Sequence, residues 1–178
     1  MKHPSKKLLC IVLIGLALRL IFLLFLAKPF FCRESIFTDS DTFNWADSIE
    51  NLIKTGTYTD NIWSEYGYFF RMPGYSFFIG LFYLLCGCNW NIAFPVIGIV
   101  QILFDTFSIV IIYKIVWKIF SNGKTALIAA ILYAVYPFII VWDPVVYSES
   151  ISIFFLLTGL YFLLFDEKKR NIIYSGIL

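Results

Sequence analysis

Asp39 and Asp41 open a segment that continues through TFNWADSIENLIKT to Gly56, between two strongly apolar stretches. Counting on from Asp41 in steps of four gives Trp45 and Ile49, so a helix here carries a carboxylate and two apolar side chains on one face. Such a helix suits the boundary between water and lipid, and a carboxylate held there can accept the proton of an acceptor hydroxyl as a general base. Arg71 stands just before Pro73-Gly74 and an aromatic run, YSFFIGLFYLL. Its guanidinium is a planar fork of donors matched to phosphate oxygens, at what would be headgroup level. Glu149, within SES, puts another carboxylate at the start of a later apolar stretch.

Each of these residues also has a plainer use. Thr38 and Asp41 have the spacing of a capping box, and Gly56 suits a left-handed helix stop. Capping accounts for one of the two aspartates and leaves the other unexplained. Arg71 could simply snorkel to the interface, and Glu149 could answer a helix dipole. Asp47, Glu50 and Asp60 read as solvated loop charge.

The elements that position these groups follow from composition. Of the 178 residues 60% are hydrophobic and 20% aromatic, with a mean hydropathy of +0.81. That balance excludes a soluble domain and indicates a polytopic membrane protein. Fourteen basic residues against twelve acidic leave a net charge of only +2, so nothing points to a nucleic-acid partner.

Residues 8–27 follow the basic start MKHPSKK and are long enough to cross roughly 30 Å of hydrocarbon. Arg19 within them, and Lys28-Pro29 after them, speak for an uncleaved first span rather than a signal peptide. Further apolar stretches are Tyr75–Cys86, Ile92–Tyr113, Thr125–Val141 and Ser150–Phe165. If Tyr75–Cys86 crossed the bilayer, Lys114, Lys118, Lys124, Lys168, Lys169 and Arg170 would all lie opposite the basic N-terminus, against the positive-inside tendency. Placed in the interface, it leaves those residues with Lys2, Lys6 and Lys7 inside, and Lys28, Arg33, Lys54 and Arg71 outside.

The expected fold is therefore all-α: polytopic transmembrane helices at about 8–27, 92–114, 124–141 and 150–165, with amphipathic interfacial helices in a large first outer loop at 28–91. A further span starts at 171–178, so the chain reads as the N-terminal part of a longer transmembrane domain.

Arg19 and Asp105 fall at similar depth in the first two spans and are expected to pair, since a lone intramembrane charge is costly. A transport role is the sharper alternative for them, but two groups make no relay. Among Cys10, Cys32, Cys86 and Cys88 only the last two are close, and Cys-Gly-Cys is not a zinc spacing. A disulfide from Cys32 to Cys86 or Cys88 requires both segments to face an oxidising side.

At these residues the chain resembles the GT-C glycosyltransferases of the dolichyl-phosphate-mannose protein mannosyltransferase and aminoarabinose transferase type. Their first outer loop has an Asp, an aromatic four residues on, a small residue four beyond, then Asn-Leu-Leu and Gly-Tyr. Here Asp41, Trp45, Ile49, NLI and GTY stand in those places. RMPGYSFFIGLFYLLCG resembles the family's basic residue, proline break and aromatic interfacial helix. Arg19 and Glu149 hold the places of an Arg in the first span and a carboxylate opening the fourth.

The resemblance implies transfer of a sugar from a polyprenyl-phosphate donor to an acceptor hydroxyl on a glycan, lipid or protein, with inversion, on the extracytoplasmic face. It implies Asp41 as base with Asp39 as runner-up, and Arg71, Glu149, Trp45 and Tyr75 as substrate-binding residues. It also implies an integral protein of a bacterial plasma membrane with a cytoplasmic N-terminus, in contact with membrane lipids. Some members carry an acid immediately before the basic residue of the proline break; Phe70 stands there instead, so no metal ligand set carries over, and a divalent metal stays an open option. A non-catalytic membrane scaffold and, less favoured, a transporter are the competing readings.

Overall fold

The computed structural model describes residues 6–33, 35–63 and 71–165, which form helices and connecting turns with no strand among the described residues. Helix α1 (Lys6–Ile21) continues through a π-helical turn, Phe22–Leu26, into α2 (Ala27–Phe31). Together they make a mostly apolar run of 26 residues, roughly 39 Å at 1.5 Å per residue. The run ends at Cys32, whose φ of 50° is left-handed.

Helix α3 (Ser40–Thr55) is the amphipathic element expected from the sequence, and its stop is Gly56 at φ 77°. Its cap differs from the expected Thr38–Asp41 pair. The helix begins one residue later, so Asp39 is the N-cap and Thr42 its reciprocal partner, with Asp39 N–H donating to Thr42 Oγ1 at 3.0 Å. Asp41 is thereby released from capping.

Helix α4 (Pro73–Leu85) starts with Pro at its first position, where the missing N–H costs nothing. Its 13 residues reach roughly 20 Å, short of a bilayer crossing. Trp45 and Ala46 of α3 pack into one core with Tyr75 and Ile79 of α4, and Ile49 is buried beside them. The helices approach so closely at Gly80 that a Cβ there would lie 2.5 Å from Ile49 Cγ1.

Helix α5 (Trp90–Phe120) is the axis of the molecule, touching α1, α4, α6 and α8. It outruns the expected 92–114. Lys114 and Lys118 lie over the rings of Tyr161 and Phe165, at 5.3 and 5.5 Å, so their stems extend the apolar contact while the charges stay on aromatic faces.

The stretch expected as a span at 124–141 is built from two helices. Helix α6 (Gly123–Ala134) stops before Tyr136, and α7 (Pro137–Trp142) starts anew. Pro137 has no N–H to donate and forces Tyr136 into an extended conformation, ψ 113°. Helix α8 (Ser148–Phe165) follows, so among the described residues three helical runs are long and apolar enough to cross a membrane: α1 with α2, α5 and α8. The charged 166–170 and the apolar 171–178 lie outside the described residues.

Arg19 and Asp105 do pair, both fully buried. Arg19 Nε donates to Asp105 Oδ2 at 2.8 Å, Nη2 donates to the same oxygen, and Nη1 donates to the carbonyls of Gly15 and Ala134 at 2.9 and 3.1 Å. Tyr133 donates its hydroxyl to Asp105 Oδ1. The sequence did not foresee the third charge: Asp143 Oδ2 lies 3.4 Å from Arg19 Nε. With the guanidinium's donors turned onto carbonyls and carboxylates, this is a structural lock between helices. All four cysteines are free, so Cys32 is bonded to neither Cys86 nor Cys88.

Candidate active site

Asp41 occupies the first turn of α3 with its side chain half exposed. Arg71, at the approach to α4, donates from Nη2 to Asp41 Oδ1 at 2.5 Å, and its guanidinium carbon lies 5.1 Å from the centre of the Trp45 ring. Three of the residues singled out from the sequence thus form one cluster: a carboxylate, a guanidinium and the indole beneath it. Trp45 is buried, and serves as a platform rather than as a free face.

Tyr75 stands edge-on to Trp45 with ring centres 5.3 Å apart. Its hydroxyl is turned inward, donating to Gln101 Oε1 at 2.6 Å. Burial, with the charge of Glu149 as the second cause, pushes this phenol well above its ordinary range. The Tyr75 ring lines a cleft of about 260 Å³ between α4 and α8, with Gly74, Phe78, Ile151, Ser152 and Phe155. Glu149 is exposed in the first turn of α8, and Ser148 donates to it at 3.4 Å.

Asp39 is held apart from this cluster in its cap. Its carboxylate accepts from Ser40 N–H at 2.7 Å and pairs with Arg33 at 2.8 Å. The Ser40 N–H chiefly, helped by Arg33 and Tyr147, holds its carboxyl below the usual range. A carboxylate so committed has its oxygens already engaged and is poorly placed to accept a proton.

The first comparison with known proteins bears directly on this half of the molecule. The model of the family described as dolichyl-phosphate-mannose-protein mannosyltransferase matches residues 71–178, more than half of the chain. The chain belongs to this family. It is accordingly an integral membrane protein and a membrane glycosyltransferase of the GT-C kind. The match takes in Arg71, Tyr75 and Glu149, while Asp39, Asp41 and Trp45 precede it. No curated protein and no solved structure matches the chain.

Several residues that hold this cluster together carried no signal in the sequence. The Tyr58 hydroxyl bridges the Arg71 carbonyl, at 3.0 Å, and the Ser76 hydroxyl, at 2.9 Å. Ser76 donates in turn to the Trp45 carbonyl at 3.2 Å. Thr42, next to Asp41, donates to the Val146 carbonyl at 3.2 Å, and Val146 N–H donates to Phe37 at 2.8 Å. The signal that could have found Gln101 is its amide inside an otherwise apolar span, since a polar group there needs partners. Among the described residues no three His, Cys, Asp or Glu side chains converge to hold a metal.

Proposed function

We propose that the chain transfers a sugar from a polyprenyl-phosphate donor to an acceptor hydroxyl on the extracytoplasmic face, with inversion, and that Asp41 is the general base. The observation that carries this reading is the exposed Asp41–Arg71 pair on the Trp45 platform. Arg71 is satisfied by a carboxylate in the resting pair, and an arriving lipid phosphate competes for the same donors. When the phosphate takes Arg71, the Asp41 carboxylate is left free to accept a proton.

In the reaction the acceptor oxygen forms a bond to the anomeric carbon and gives its proton to Asp41. The bond from that carbon to the phosphate oxygen breaks, and the lipid phosphate leaves with the electron pair. Its growing charge is met by Arg71, already fixed in place, which is how an enzyme stabilises a transition state more than a ground state. Trp45 holds the guanidinium flat, and the amphipathic α3 and α4 keep the head of the donor at the interface while its tail stays in lipid.

The test is the Asp41→Asn variant, purified in lipid nanodiscs and assayed with polyprenyl-phosphate mannose and other polyprenyl-phosphate sugars. Transfer falls at least a hundredfold with expression unchanged, in line with loss of a general base at roughly 10²–10⁴. Wild-type transfer in this variant sinks the assignment and favours a non-catalytic scaffold.

A further inference from the structure

We infer that Gln101 is a positioning residue for the Asp41–Arg71 site, acting on both of its halves at once. The inference rests on the reading of that pair as the phosphate and base site, and adds a residue that touches neither reactant. Gln101 sits in the middle of α5 with none of its surface exposed. Its Oε1 accepts from the Tyr75 hydroxyl at 2.6 Å, and its Nε2 donates to the carbonyls of Asp143 and Val145 at 3.1 and 2.8 Å. A side-chain amide has two N–H donors, and both are directed to one turn.

The first arm runs through Tyr75. That ring stands edge-on to Trp45, and Trp45 is the platform on which the Arg71 guanidinium lies. The second arm runs through the 143–146 turn. Val146, one residue past the Gln101 contact, holds Phe37 through its N–H and Thr42 through its carbonyl, and Thr42 is the neighbour of Asp41 in the first turn of α3. One amide therefore sets the tilt of the arginine's platform and the position of the carboxylate's helix. An apolar side chain of similar volume would fill the space and hold neither.

The geometry makes Gln101 more than a buried polar group that found partners. Its three bonds go to α4, one wall of the cleft beside Tyr75, and to the turn that leads into α8, the other wall, and the turn is also anchored by Asp143 against Arg19. A loss at Gln101 lets α4 and the turn move independently, and the distance from Arg71 to Asp41 is no longer fixed.

The experiment measures the affinity of the whole protein in nanodiscs for undecaprenyl phosphate, which presents the lipid phosphate with no sugar. Gln101→Met, near in volume, is combined with Arg71→Ala in a double-mutant cycle, and melting is followed in parallel. Gln101→Met alone weakens binding about tenfold, and adds nothing to the loss caused by Arg71→Ala, because it acts through that arginine. In melting, by contrast, the two effects add. Wild-type affinity in Gln101→Met, or losses that multiply in the double variant, overturns the positioning role. An Arg71→Ala variant that binds as wild type refutes the underlying site instead. Should Gln101→Met fail to accumulate, Tyr75→Phe cuts the same bond from the other end and is expected to weaken binding in the same coupled way; wild-type affinity there is equally fatal.

Discussion

Arg71 donates to Asp41 at 2.5 Å across 30 residues of sequence, with the Trp45 ring under its guanidinium. The geometry distinguishes arginine from lysine here. A lysine keeps the charge but loses the planar fork and the stacking on the indole, so Arg71→Lys is not a conservative change. Arg71→Lys is expected to lower kcat/KM for transfer from a polyprenyl-phosphate sugar by about ten- to a hundredfold, the loss of one or two charge-assisted hydrogen bonds. Kinetics of Arg71→Lys beside Arg71→Ala check this, and a lysine variant with full activity shows that charge alone suffices.

The two aspartates of the DSD sequence separate by task. Asp39→Asn keeps a capping oxygen and should leave transfer near wild type, but it gives up the charged pairing with Arg33 and so melts somewhat below wild type at neutral pH, whereas Asp39→Ala also loses the cap at about 1 kcal/mol. The sign of the pH effect follows from the lowered carboxyl of Asp39. A depressed acid stabilises the fold above its unfolded value, about 3.9, and that contribution is lost as pH falls through the folded value. Melting of wild type and Asp39→Asn should therefore converge as the solution is acidified below about pH 4. If Asp39→Asn instead abolishes transfer, Asp39 and not Asp41 is the base.

What could be read from the sequence and what could not divide along physical lines. The amphipathic α3 was visible because carboxylate, Trp45 and Ile49 recur at helical spacing, and Gly56 marks its end. The Arg19–Asp105 pair was visible because charges inside lipid are few and must find each other. The cap was misplaced by one residue because Thr38 and Asp39 both suit an N-cap, and local sequence does not choose between them. Hydropathy bounds a third span at 124–141 but is blind to Pro137, which removes a backbone donor and breaks the helix without changing the apolar count. Tyr58, Ser76, Gln101 and Asp143 gave no local pattern, since their partners lie 13 to 44 residues away or further and only the folded chain joins them.

The buried cluster of one arginine and two aspartates offers two carboxyl groups to a single cation. Asp105 takes two donors from Arg19 and one from Tyr133, so Asp105→Asn strips the arginine of its counter-charge. Asp143 meets Arg19 only at 3.4 Å, and Asp143→Asn keeps the shape while Asp105 remains as the arginine's main partner. Asp105→Asn is expected to cost about 3–5 kcal/mol, the loss seen when a buried pair is broken, and Asp143→Asn to be neutral or stabilising. Thermal melting in detergent orders the two, and equal losses would show that both carboxylates are needed ionised.

The turn that joins the lock to the site is also sterically tight. Gly98 of α5 faces it, and a Cβ at that position would lie 2.6 Å from the Pro144 carbonyl oxygen and 2.7 Å from the Phe37 ring. The first of these is backbone and cannot swing aside. Gly98→Ala must therefore push the 143–147 turn off α5, and with it the Val146 bonds to Phe37 and Thr42. Overpacking of this kind costs about 1–3 kcal/mol. Because the turn carries the first helical turn of Asp41, transfer should fall further than the loss of folded protein explains. Activity per folded molecule in Gly98→Ala decides the matter. A fall in melting temperature with wild-type turnover would separate the turn from the site, whereas Gly123→Ala, with open space around its Cβ, should change neither.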